Sequence, residues 1–161
     1  MTTSFSYAEV GRTSDADLPG GYRHIRRRAV IGHGRACFDA AGDRLMRWGM
    51  QRGAGLRIRP SAPAIQPGVE VVVGWGPVFG RCRVVYVVDD DCRCGFAYGT
   101  LQGHPESGEE YFGVHYDPET AMVCAEIVAF SRPGRWWSRA AEPVAVWLQD
   151  RITTRYLRAL T

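Results

Sequence analysis

The stretch from Val69 to Ser131 constrains this chain more than any other part. Apolar residues recur there with period two in five runs, "VEVVVGW", "GRCRVVYVV", "CGFAYGTL", "EYFGVHY" and "MVCAEIVAF". Each is rich in valine or aromatics, and "GP", "DDD", "GHPESGE" and "DPET" separate them, so they read as consecutive antiparallel strands joined by hairpins. Val84, Val85, Tyr86, Val87 and Val88 are apolar at both parities. A strand of that kind is covered on both faces, so other elements must lie across the sheet.

The flanking segments supply that cover. "YRHIRRRAVIG" alternates as a strand, and in "GRACFDAAGDRLMRWGM" Phe38, Ala41, Leu45 and Trp48 recur at helical spacing until Gly53 and Gly55 stop the helix. "PSAPAIQPG", Pro60 to Gly68, reads as a loop. At the other end Pro143 suits the first helical position, and Val144, Leu148, Ile152, Tyr156 and Leu160 form one apolar stripe over about five turns. Strand, helix, antiparallel strands and long terminal helix are the order of an α+β helix-grip fold, in which a curved sheet wraps the last helix. The 161 residues are expected to form a single domain, 1–161.

Composition excludes several classes. Hydrophobic residues make up 45% and charged ones 23%, the balance of a globular protein. No apolar run reaches the roughly 18 residues of a spanning helix, and "MTTSFSYAEV" lacks the regions of a signal peptide, so a cytoplasmic protein with no membrane insertion is expected. The net charge is +3, carried entirely by arginine, and the one dense cluster, "RHIRRR" at Arg23 to Arg28, reads as a solvated strand face. No nucleic-acid partner is expected. Five scattered cysteines read as reduced thiols, and Cys92-x-Cys94 has no second pair to complete a metal site. Neither a metal nor a cofactor is expected, since "GWGPVFG" is no phosphate loop and no serine sits in a nucleophile elbow.

The chemistry-bearing residues gather around "YGTLQGHPESGEEYF", Tyr98 to Phe112. His104-x-Glu106 opens like a zinc deaminase site, but no P-C-x-x-C follows. Glu106, Glu109 or Glu110 could serve as acid or base if burial or a like charge raised its pKa, and His104 is a further candidate for that role. Period two sends Glu109 and Glu110 to opposite faces, so one could face a cavity while the other meets solvent. The plainest reading is a hairpin loop shaped by Gly103, Pro105 and Gly108, with His104 and the carboxylates tying down backbone amides. Glu126, on an otherwise apolar strand, is a catalytic candidate if its face is concave and merely exposed if convex. Tyr98 and Thr100 share a face with Phe96 and could line a pocket together with Tyr156. His104 and Arg132 could meet a ligand's polar group, and Trp136 could gate an entrance.

"YAEVG" with "LPGGYRH", "GFAYGTLQGHPESGEE", "AFSRPGRWW" and "PVAVWLQDRITTRYLRAL" together resemble the DUF1990 family, also called UPF0548, along essentially the whole chain. Gln102 departs from the proline expected there. The family is similar to the Bet v 1-like, START-type group of helix-grip proteins, which often bind lipophilic small molecules. The resemblance implies a binding module for a hydrophobic or amphipathic molecule held between sheet and helix. A cofactor-free cyclase, dehydratase or isomerase on the same cavity is the alternative, and a surface interaction protein with a filled interior is a third.

Overall fold

The computed structural model describes residues 2–134 and 153–160. Its centre is a seven-stranded antiparallel sheet in the order β1-β7-β6-β5-β4-β3-β2. The five runs read from period two are β3 (Glu70–Trp75), β4 (Val78–Asp89), β5 (Arg93–Thr100), β6 (Glu106–Tyr116) and β7 (Met122–Pro133). Successive hairpins join them in a meander. β1 (Arg23–His33) returns along β7, and a short β2 (Arg57–Pro60), which has too few residues to show a period, forms the far edge beside β3. Register shifts between Val30 and Gly32 and between Val84 and Tyr86 insert extra residues, which bend and twist the strands that carry them.

The two faces are covered by different parts of the chain. On the inner face, Phe96, Tyr98, Phe112, Val114, Val123, Ala125 and Ile127 meet the helices α1 (Arg35–Leu45) and α2 (Gly49–Gly53). The helix expected to run unbroken to Gly53 is interrupted: Trp48 adopts a left-handed φ of 62°, so its indole turns inward against Phe96 and Tyr98. A side chain at Gly49 would strike the Arg44 carbonyl, which is why the close turn needs glycine there. At the C-terminus the described residues include a helix over 153–158, with Thr153, Tyr156, Ala159 and Leu160 buried. The rest of the expected long helix, and Trp136, lie outside the described residues.

The outer face carries a smaller apolar group, Ala97, Tyr111 and Val128, with Leu18, Val85, Tyr86 and Val88 packed on it. Here the N-terminal segment, which the sequence shows only as a turn-rich opening, lies against the sheet. Phe5 bridges to Leu101, the Ser6 amide donates to the Thr100 carbonyl at 2.9 Å, and Tyr7 and Tyr22 pack edge-on against Phe130. Tyr7 fits because the strand beneath it has Gly99, where any Cβ would collide with its ring and hydroxyl. Arg26 holds the segment's far end by donating to the carbonyls of Asp15 and Ala16 at 2.9 and 2.8 Å. Part of the arginine cluster is thus a clasp on the backbone rather than a solvated face.

Candidate functional site

β6 divides its two adjacent carboxylates between the faces, and their surroundings are opposite in kind. Glu109 points outward but is only 2% exposed, because the N-terminal segment closes over it. The Tyr7 hydroxyl donates to its Oε2 at 2.7 Å and the Gly11 amide to the same oxygen at 2.7 Å. The Thr13 amide and hydroxyl donate to Oε1 at 3.1 and 2.5 Å. Four donors on one carboxylate, two of them backbone amides of a tight turn, make an anchor for the N-terminal segment. The Tyr7 hydroxyl is held strongly in its neutral form, by burial first and by the Glu109 charge second. Glu109, expected as a possible acid or base, therefore has its acceptor sites taken by protein donors.

Glu110 points inward and lies opposite Tyr98 in the β5–β6 register. It keeps partial contact with solvent, yet dense surrounding protein raises its pKa to about 8, because desolvation of the charge outweighs the favourable hydrogen bond from Tyr98. Tyr98 is in turn coupled to Tyr156 of the C-terminal helix, and burial drives both phenols well above their ordinary range. Tyr156 packs edge-on against Phe112 with ring centroids 5.2 Å apart. Two further buried polar groups have no hydrogen-bond partner among the described residues: the Trp48 Nε1, whose indole packs on Phe96 and Tyr98, and both polar atoms of Gln51, whose side chain is fully buried. Tyr98, Glu110, Tyr156 and Trp48 thus bring polar groups into one aromatic and aliphatic core, and Gln51 adds a buried amide from α2.

The remaining sequence candidates are elsewhere. Glu126 lies on the outer face with its Oε2 2.7 Å from His115 Nε2, and that contact holds its pKa below the usual carboxylate range. The concave placement that would have made it a buried catalytic carboxylate does not occur. Arg132 is exposed on the same outer face, its guanidinium 4.6 Å from the centre of the Tyr22 ring. Thr100 is buried, but its hydroxyl accepts from the Gly108 amide at 3.0 Å and lies 2.6 Å from Ser6 Oγ, closing the hairpin. His104 belongs to the same turn: the Glu106 amide donates to its Nδ1 at 2.9 Å, and its ring covers Gly80, where a Cβ would collide with it. The loop reading of "GHPESGEE" accounts for His104. The carboxylate Glu109 ties amides too, though those of the N-terminal segment and not those of its own loop. Among the described residues no group of three His, Cys, Asp or Glu side chains converges as a metal would need.

Sequence reasoning weighed Glu106, Glu109 and Glu110 together and put Glu109 forward, with Glu126 and His104. It missed Gln51 entirely, since a glutamine within a helical run carries no signal until its burial is known. It also missed the N-terminal donors, because nothing local pairs Tyr7 or Thr13 with a residue a hundred positions on.

Comparison with known proteins agrees with this architecture. The family model described as "Domain of unknown function (DUF1990)" matches residues 6–159. A UPF0548 protein from Deinococcus radiodurans is 36% identical over 172 aligned residues, covering 96% of this chain and 85% of that protein. Among solved structures, a hypothetical protein from Helicobacter pylori superposes with a TM-score of 0.68 at 7% identity, covering 86% of this chain and 85% of that one. Norcoclaurine synthase from Thalictrum flavum, a Bet v 1-like protein, superposes with a TM-score of 0.56 at 8% identity over 86% of this chain and 94% of its own. Such identities speak to the fold alone. The chain belongs to the DUF1990 (UPF0548) family, and its fold is Bet v 1-like.

Proposed function

We propose that the inner face of the sheet, beneath the C-terminal helix, binds a hydrophobic or amphipathic small molecule whose polar group is met by Glu110, Tyr98, Tyr156 and Gln51. The observation that carries this reading is the fully buried Gln51 amide, neither of whose polar atoms is bonded among the described residues, together with a Trp48 Nε1 likewise unpartnered among them. An unsatisfied buried amide costs about 1–3 kcal/mol, so a folded chain keeps one where a ligand uses it. Tyr98, Tyr156, Phe96 and Phe112 supply the apolar walls that such sites have. A long terminal helix gripped by the sheet would complete the enclosure. The scaffold analogy is to norcoclaurine synthase, which was solved in complex with dopamine and hydroxybenzaldehyde. Five free thiols suit a reducing, cytoplasmic setting.

A second reading has one specific observation in its favour. A carboxyl group with a pKa near 8, hydrogen-bonded to a phenol, is poised to give or take a proton at neutral pH, as a cofactor-free cyclase, dehydratase or isomerase requires. Glu110 takes the acid–base role in that reading, in place of Glu109, Glu126 and His104. Native mass spectrometry of protein purified gently from its own host, with solvent extraction of retained molecules, tests the binding reading. A stoichiometric lipophilic adduct lost in Gln51→Leu supports it, and its absence from protein with a filled interior overturns it. Turnover of the extracted compound by wild type but not by Glu110→Gln separates enzyme from carrier.

A further inference from the structure

The exposed apolar surface of the described residues concentrates at one hairpin. Trp75, Val78 and Phe79 are 39, 45 and 67% exposed, and every residue from Trp75 to Phe79 is open to solvent. β3 and β4 meet there through Gly76 and Pro77, with Trp75 paired to Val78 and Gly76 at a left-handed φ of 55°. Successive strand residues face opposite ways, so Phe79 stands on the side away from Val78, and the tip is apolar on both sides. Large solvent-facing apolar groups gathered in one place mark an interaction surface.

The charges beside the tip identify what it meets. Phe79 shares a cross-strand row with Gly74 and Arg57. Because Gly74 has no side chain, Arg57 and Phe79 flank it closely: a Cβ there would lie 3.5 Å from Arg57 Nε and 3.7 Å from Phe79 Cβ. Arg57 also donates to the Gly76 carbonyl, which keeps its guanidinium at the turn. The next row on that face, about 7 Å back along the strands, holds Arg59, Val72 and Arg81. Glu70 neutralises Arg81 at 2.5 Å, whereas Arg59 has no ion-pair partner among the described residues. Apolar groups at the extremity and cations one row behind match the depth profile of a lipid surface, where interfacial elements enter roughly 5–10 Å. A folded partner would cover one side of a hairpin. A bilayer, being fluid, surrounds a tip that is apolar on both.

We propose that the β3–β4 hairpin docks the protein peripherally on an anionic bilayer surface, with Trp75, Val78 and Phe79 entering the headgroup boundary and Arg57 and Arg59 meeting lipid phosphates. No helix among the described residues is long and apolar enough to cross a membrane, and the contact proposed is confined to the hairpin tip. Co-sedimentation with vesicles of phosphatidylcholine alone and of phosphatidylcholine with phosphatidylglycerol tests it, using wild type, the double variant Val78→Asp, Phe79→Asp, and Arg59→Gln. Wild type binds the anionic vesicles, the double variant at least about tenfold more weakly, and Arg59→Gln roughly fivefold more weakly on anionic lipid only. All three sites are exposed, so circular dichroism and Tm stay those of wild type. Wild type that fails to bind, or a double variant that binds undiminished, overturns the proposal. So does a concentration-dependent dimer in light scattering that the double variant abolishes, with no vesicle binding, because the tip then meets a second copy of the chain.

Discussion

Glu109 and Glu110 are neighbours in one strand, chemically identical, and placed in opposite circumstances. The first is buried against four donors, two of them backbone amides with no other acceptor among the described residues. The second faces the interior with one hydrogen bond, from the Tyr98 phenol, and is driven towards its neutral form by desolvation. A carboxylate whose acceptor sites are filled by the protein holds structure together; one that is desolvated and under-partnered is free to meet something else. The contrast teaches that burial alone says little about function, and that the count and kind of partners say more.

Removing Glu109 is the severest way to break the comparison. Glu109→Ala strands the Tyr7 hydroxyl and the amides of Gly11 and Thr13, and should cost roughly 3 kcal/mol or more in urea unfolding. Ligand retention should survive wherever the variant stays folded. A loss under about 0.5 kcal/mol would show that the N-terminal anchor is unimportant. Gln51→Leu acts in the opposite direction: it removes an unsatisfied amide and should stabilise the ligand-free protein by about 1 kcal/mol while weakening ligand retention. If it destabilises and leaves retention unchanged, Gln51 is a packing residue and the binding reading loses its main support.

Glu110→Gln sharpens the comparison through pH. The folded protein holds Glu110's proton up to about 8, whereas the unfolded chain releases it near the ordinary glutamate value of 4.5. Between those values the native state binds more protons, so stability falls as pH rises across that window. Tyr98, Tyr156 and Cys82 are the titratable groups facing Glu110 from β5, the C-terminal helix and β4, and burial keeps all three neutral there. Denaturation midpoints collected across the window should slope downward for wild type and level out for Glu110→Gln; equal slopes would refute the desolvated placement. The mildest change is Glu126→Gln. Its contact with His115 favours the charged form, so its contribution is present above the ordinary glutamate pKa and lost as pH falls below it. The pair is partly solvated, and its loss at pH 7 should stay within about 1 kcal/mol with no change in ligand retention.

Much of the sheet was legible because hairpin strands announce themselves locally: alternation in β3 to β7, then Gly, Pro and Asp breakers between them. The break at Trp48 was not legible, since Phe38, Leu45 and Trp48 keep helical spacing and only the indole's packing on Phe96 and Tyr98 requires the left-handed turn. β2 has four residues, too few to carry a period. Arg26 looked like one more solvated arginine until the N-terminal carbonyls it clasps were placed beside it.

By itself the sequence determined that Glu109 and Glu110 part company across a sheet, because successive side chains on a regular strand point to opposite faces. It determined as well that both faces would be covered, because both parities are apolar. Which carboxylate went under the helices, and which under the N-terminal segment, was decided only by tertiary structure. Alternation is symmetric between the faces, and the choice between them depends on contacts such as Tyr7 to Glu109 and Tyr98 to Tyr156, whose partners are far apart in the chain.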